Sequence, residues 1–157
     1  MLKFVSYDVV FQEVPDEVTL AVNISNCPHR CAGCHSQWLW EDKGEILDSM
    51  SIDILMENYL QTITCFCFMG GDADITSLYH LAAYIRGKYP SLKIAWYSGT
   101  QDIPEDFPAD RFDYVKFGPY IAELGALKSP ETNQRFYVIK KGQLIDRTSI
   151  FWKGNIK

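Results

Sequence analysis

Hydrophobic and polar positions change their period several times along the chain, and each change marks an element. Val9 to Val14 and Val18 to Ile24 read as two strands, and Pro15-Asp16-Glu17 between them suits a tight turn, so an N-terminal hairpin is predicted. In the second run Val18, Leu20, Val22 and Ile24 alternate with Thr19, Ala21 and Asn23, the period of a strand with one buried face. Behind Ser51, a predicted N-cap, Ile52, Leu55, Met56, Tyr59 and Leu60 recur at helical spacing, with Asp53 in the first turn. Ile63 to Met69 is an apolar run that stops at Gly70-Gly71-Asp72, the pattern of a strand buried on both faces and then turned sharply. Thr76 to Lys88 reads as a second helix, with Leu78, Leu81, Ala82 and Ile85 on one stripe and Gly87 and Pro90 ending it. Strands follow at Lys93–Tyr97, Tyr114–Phe117 and Phe136–Lys140, and Lys141-Gly142-Gln143 suits a hairpin turn into a short last strand.

Strands alternating with helices imply a parallel sheet, in which the loops after successive strands share one edge and build the site. Four segments fall there: the cysteine loop after Ile24, Gly70-Gly71-Asp72, Ser98-Gly99-Thr100 and Gly118-Pro119-Tyr120. A closed eight-stranded barrel takes about 250 residues, and the chain has 157. The expected fold is therefore α/β, an incomplete, open (β/α) barrel with an N-terminal hairpin, forming one domain over residues 1–157. The open side would need a lid, and a large protein partner would supply it.

Composition narrows the class. An apolar share of 47% supports a real core, and fifteen basic against twenty acidic residues give a net charge of −5 with no block of like charge, which argues against nucleic acid. No uncharged apolar run approaches the roughly eighteen residues of a membrane span. Five cysteines are an odd count for a disulfide framework, and Lys3 and Asp8 interrupt any secretory leader, so a reducing cytoplasm is expected.

Cys27, Cys31 and Cys34 stand at C-x3-C-x2-C spacing on one short loop, and the next cysteine is Cys65. Three ligands for a four-iron cube leave one iron open, and an open metal position is one that takes substrate or cofactor. A structural zinc closed by Cys27, Cys31, Cys34 and either His29 or His35 is the other reading, and would make the protein a noncatalytic adaptor. Cys65 and Cys67, two apart on a strand, read as small core residues. Gly70 and Gly71 let backbone approach a ligand, and Asp72 beside them can accept from a cationic amine. Trp38 and Trp40 read as core packing, or as a shield that keeps water from the cluster. Thr132 to Arg135 is either a polar turn or a place where Arg135 pairs with a cofactor or partner carboxylate.

Cys27-Pro28-His29-Arg30-Cys31-Ala32-Gly33-Cys34-His35 resembles the cluster loop of the radical S-adenosylmethionine enzymes, in the version found in the activating proteins of anaerobic ribonucleotide reductase. The resemblance runs from Val18 to Phe136. It implies a barrel of the radical S-adenosylmethionine type, and a [4Fe-4S] cluster held by Cys27, Cys31 and Cys34 with one non-cysteine-ligated iron that chelates S-adenosylmethionine. Gly70-Gly71-Asp72 resembles the motif that binds the amino group of that molecule, and Ser98-Gly99-Thr100 a turn near its methionine and ribose. Gly33 stands where these activators commonly have glycine, and His35 where they often have tyrosine, at the adenine. Asn133-Gln134-Arg135 also recurs near their end, whereas Pro15-Asp16-Glu17, Ala73 and Pro119 depart from their pattern. The implied cofactor-binding set is Gly33, His35, Gly70, Gly71, Asp72 and Ser98, and no side chain is assigned as acid or base. The implied activity is reductive cleavage to a 5′-deoxyadenosyl radical, which makes a glycyl radical on the large subunit of anaerobic ribonucleotide reductase, with flavodoxin or ferredoxin as electron donor. Other targets open to the same chemistry are another glycyl radical enzyme, such as a formate lyase, or a small molecule, as in the deazaguanine-forming enzymes.

Overall fold

A computed structural model describes residues 1–34 and 37–152. The elements are β1 (Lys3–Val10), β2 (Thr19–Ile24), β3 (Glu45–Ile46), α1 (Ser49–Tyr59), β4 (Cys65–Met69), α2 (Ile75–Lys88), β5 (Lys93–Tyr97), β6 (Tyr114–Phe117), β7 (Arg135–Lys140) and β8 (Gln143–Asp146), with short 3-10 turns between some of them. All eight strands join one sheet in the order β3-β1-β2-β4-β5-β6-β7-β8. Neighbours from β2 to β6 are parallel, and the remaining pairs are antiparallel.

This overturns the expected (β/α) barrel: the sheet is mixed and, among the described residues, carries only two α-helices. The repeat stops after β5 for a local reason. Residues 99–113 hold Pro104 and Pro108 among acidic residues, and the chain crosses to β6 with a 3-10 turn at Ala109–Arg111 instead of a helix. Beyond β6, Lys141 and Gly142 take positive φ in a two-residue turn that makes β7 and β8 a hairpin.

Strand pairing divides the sheet into two unlike faces. On one, Leu20, Phe66 and Ile94 lie in register, then Val22, Phe68, Trp96 and Val115. These are buried under Ile52, Leu55 and Met56 of α1 and Leu78, Ala82 and Ile85 of α2. The helices are tied together where Tyr84 and Tyr89 hydroxyls and the Lys88 ammonium donate to Asp53, at 2.7, 2.6 and 3.0 Å. α1 begins one turn earlier than predicted: Asp48 is its N-cap, and Ser51 returns the bond in a capping box.

The opposite face is built from small residues, Ala21, Cys65, Cys67 and Ala95. The hollow they leave is filled by Val14, Phe136 and Phe151. This is why the first strand is not Val9–Val14: β1 ends at Val10, and the chain then folds under the sheet to bury Val14 completely. Glu17 anchors that loop by accepting from Tyr114 and Thr64 at 2.5 and 2.7 Å, and Tyr97 donates to the Glu13 carbonyl. The chain's own loop therefore packs against part of this face. No helix among the described residues is long and apolar enough to cross a membrane.

Candidate functional site

The cysteine loop starts where β2 stops, and hydrogen bonds fix both of its ends. The N–H groups of Asn26 and Cys27 donate to the carbonyls of Glu41 and Leu39 at 3.0 Å each, and the Cys34 N–H turns back to the Cys31 carbonyl at 3.1 Å. Arg30 lies over the Trp40 ring, 5.7 Å from its centroid. Trp38 is 46% exposed, so core packing does not account for it. Gly33, at φ +75°, faces Tyr120. His35 lies outside the described residues.

Cys27, Cys31 and Cys34 line one cavity of about 510 Å³. It opens on the small-residue face, at the carboxyl ends of the parallel strands. Asn23, Met69, Tyr97 and Lys116 form one row in register across β2, β4, β5 and β6, and the last three line the cavity. Gly99, Gly118, Tyr120 and Gln134 continue its wall, and Gln12 and Glu13 enter from the loop under the sheet. Lys116 is the group that the pattern of the sequence did not single out. It is a lone cation on an otherwise apolar strand, and strand alternation from Val115 and Phe117 on the helical face is the signal that places it opposite them. Burial brings its ammonium down to about 8, against the opposing pull of Asp72, Cys31 and Cys27, and its Nζ donates to the Gly118 carbonyl at 3.2 Å.

Asp72 lies behind this wall, its side chain only 4% exposed. Ser98 Oγ donates to one carboxylate oxygen at 2.5 Å, and the Gly99 N–H and His29 Nε2 reach the other at 2.9 and 2.8 Å. The predicted Asp72 and Ser98 are thus bonded to each other. Gly70 and Gly71, at φ +110° and +96°, make the sharp turn the sequence implies, but what they approach in this structure is protein. A Cβ on Gly71 would meet Leu78 at 2.5 Å, and the Gly70 carbonyl accepts from the Trp96 indole at 2.9 Å. Arg135 points away from the cavity to the chain's own Asp146 at 3.6 Å, and its neighbour Gln134 lines the wall instead.

Cys65 and Cys67 are fully buried and outside the cavity lining. Desolvation pushes both thiols well above their usual range, and Cys67 touches the Met69 sulfur at 3.4 Å. The five cysteines form no disulfide. Among the described residues, no three of His, Cys, Asp and Glu are grouped to hold a single metal ion.

Set beside known families, residues 17–107 match the model described as a 4Fe-4S single cluster domain, over more than half of the chain. The chain belongs to that family and is an iron-sulfur protein. No curated protein and no solved structure matches it.

Proposed function

We propose that Cys27, Cys31 and Cys34 would hold the four-iron cluster, leaving one iron without a cysteine ligand, and that the protein reductively cleaves S-adenosylmethionine bound in the cavity they line. The observation that carries this reading is a cavity lined by three thiols and an ammonium, with no fourth thiol in its wall. Small-molecule sites run about 300–1,000 Å³, so a cavity of about 510 Å³ has suitable room. The donor set suits a cluster with one iron left open, because Cys65 and Cys67, though on the same face of β4 as Met69, are fully buried, stand outside the cavity lining and have thiols that burial holds protonated. The reading rests on the loop and the cavity and needs no barrel.

A cluster held by Cys27, Cys31 and Cys34 would supply one electron for reductive cleavage of the S–C5′ bond of S-adenosylmethionine, giving methionine and a 5′-deoxyadenosyl radical. The chain's own residues bind and orient. Lys116, still an ammonium at neutral pH, receives the carboxylate of the amino-acid end. Met69, Tyr97 and Phe151 supply apolar wall that excludes water. The radical's target, from the likeness of the cysteine loop, is a glycine of an anaerobic ribonucleotide reductase, with flavodoxin or ferredoxin as the source of the electron.

The test is to incubate the anaerobically purified, reduced protein with S-adenosylmethionine and measure methionine and 5′-deoxyadenosine, then to look for a glycyl radical signal after adding a candidate reductase. Cleavage with equal yields of the two products is expected. Protein with a complete cluster that leaves S-adenosylmethionine intact would sink the proposal.

A further inference from the structure

His29 lies midway between Cys27 and Cys31, two residues from each, so wherever its ring is tied fixes the arc that carries both thiols. The ring is tied to Asp72 at 2.8 Å. With a carboxylate oxygen opposite, Nε2 must be the donor. Asp72 follows β4, and the Ser98 and Gly99 that complete its shell follow β5. One buried carboxylate thus joins the cysteine loop to the ends of two parallel strands.

Gly99 shows that the room for the ring is reserved. Its φ is not in the left-handed region, so backbone conformation does not demand glycine there. Space does: a Cβ at this position would stand 2.8 Å from Cδ2 of the His29 ring and 3.2 Å from Cγ. Withdrawing the imidazole would also strip a buried carboxylate oxygen of a donor, a penalty that holds the loop down.

We propose that His29 is a positioning residue that latches the cysteine loop onto Asp72, and that Gly99 is glycine to admit it. The latch sets where the thiols stand relative to the cavity, and for its bearing on the cluster it rests on the ligand assignment above. It also occupies most of Asp72's accepting capacity with the chain's own donors, leaving one free lone pair on the oxygen that faces Ser98.

Two measurements test it. In metal-free, reduced protein, iodoacetamide labelling is followed by mass spectrometry at Cys27, Cys31 and Cys34, with buried Cys65 and Cys67 as internal standards. In cluster-loaded protein, iron loss to a chelator and the paramagnetic resonance line shape of the reduced cluster are recorded. His29→Ala and Gly99→Ala should raise the labelling of the three loop thiols and the rate of iron loss roughly tenfold, the worth of a hydrogen bond to a charged group. Both should alter the line shape while Cys65 and Cys67 stay protected. His29→Gln, which can donate to the same carboxylate, should recover most of each effect. Wild-type rates and line shape in His29→Ala, or no recovery in His29→Gln, overturn the latch. If His29→Ala unfolds the chain, labelling at Cys65 and Cys67 reveals it, and Gly99→Ala and His29→Gln decide. A wild-type protein that assembles no cluster defeats the ligand assignment alone, and the metal-free labelling rates still judge the latch.

Discussion

The two faces of the sheet divide the protein's work. Under the helices, Phe66, Phe68 and Trp96 are wholly buried, and Trp96 packs against Phe107, Phe112 and Phe117 at ring separations of 6.1, 6.0 and 5.5 Å. The other face of the same strands offers Cys65, Cys67 and Ala95, with a cavity and a lysine at its upper end. One face spends its volume on packing. The other withholds volume, and the room left over becomes the site. A strand buried on both sides can therefore serve stability with its even positions and chemistry with its odd ones.

That division is broken most sharply from the site side. Cys34→Ala should reduce cleavage of S-adenosylmethionine below detection while the far-ultraviolet dichroism of the protein stays as in wild type. A fully active alanine variant would end the cluster assignment. From the packing side, Trp96→Ala should cost about 3–5 kcal/mol in urea unfolding, the usual penalty for emptying a large aromatic site. A loss well under this would mean that the helical face is not the main store of stability.

Lys116→Met tests whether the two faces are truly separate. It should weaken S-adenosylmethionine binding about tenfold or more, the worth of a charge-assisted bond, measured by calorimetry on cluster-loaded protein. The metal-free protein should be no less stable, because burial already penalises this ammonium. The mildest probe is alkaline pH. Burial raises the Cys65, Cys67 and Tyr97 groups above their usual values of 9.0, 9.0 and 10.0. The folded state keeps these protons where the unfolded state releases them, so their contribution is complete below about pH 9 and is lost as pH rises further. Lys116 works the other way: its lowered value makes the unfolded state bind more protons between about 8 and 10.5, so stability gains there. Thermal unfolding of metal-free protein should therefore fall above pH 9, and the fall should steepen in Lys116→Met and flatten in Cys65→Ala/Cys67→Ala.

The sequence carried its strands well where the pattern was local. Lys93–Tyr97 and Tyr114–Phe117 form as read, because apolar runs bounded by turn residues leave few alternatives. That the three loop cysteines would stand together was legible for the same reason, since their spacing is a short-range property. The barrel was not. Strand-like runs pointed to seven of the eight strands, missing the two-residue β3, and did not show that prolines at 104 and 108 would cancel a helix and leave the last strands antiparallel. Val14 was misplaced because its burial depends on a hollow made by Cys65, Cys67 and Ala95, residues far along the chain. Lys116 was missed, and His29 was read only as a possible zinc ligand, for one reason: the surroundings of each are supplied only by tertiary structure, Asp72 for His29 and the thiol-lined cavity for Lys116. Of the two readings of Arg135, neither put Gln134 in view, yet Gln134, just before β7, is the residue of this segment that lines the cavity while Arg135 reaches Asp146.

At its two margins the sheet ends in β3, only two residues long, and β8, four residues long beside Lys140, Lys141 and Arg147. An exposed margin of unpaired backbone is what a foreign strand would zip onto, and brevity and positive charge both discourage that. Neither margin of the sheet is thereby a ready template for aggregation.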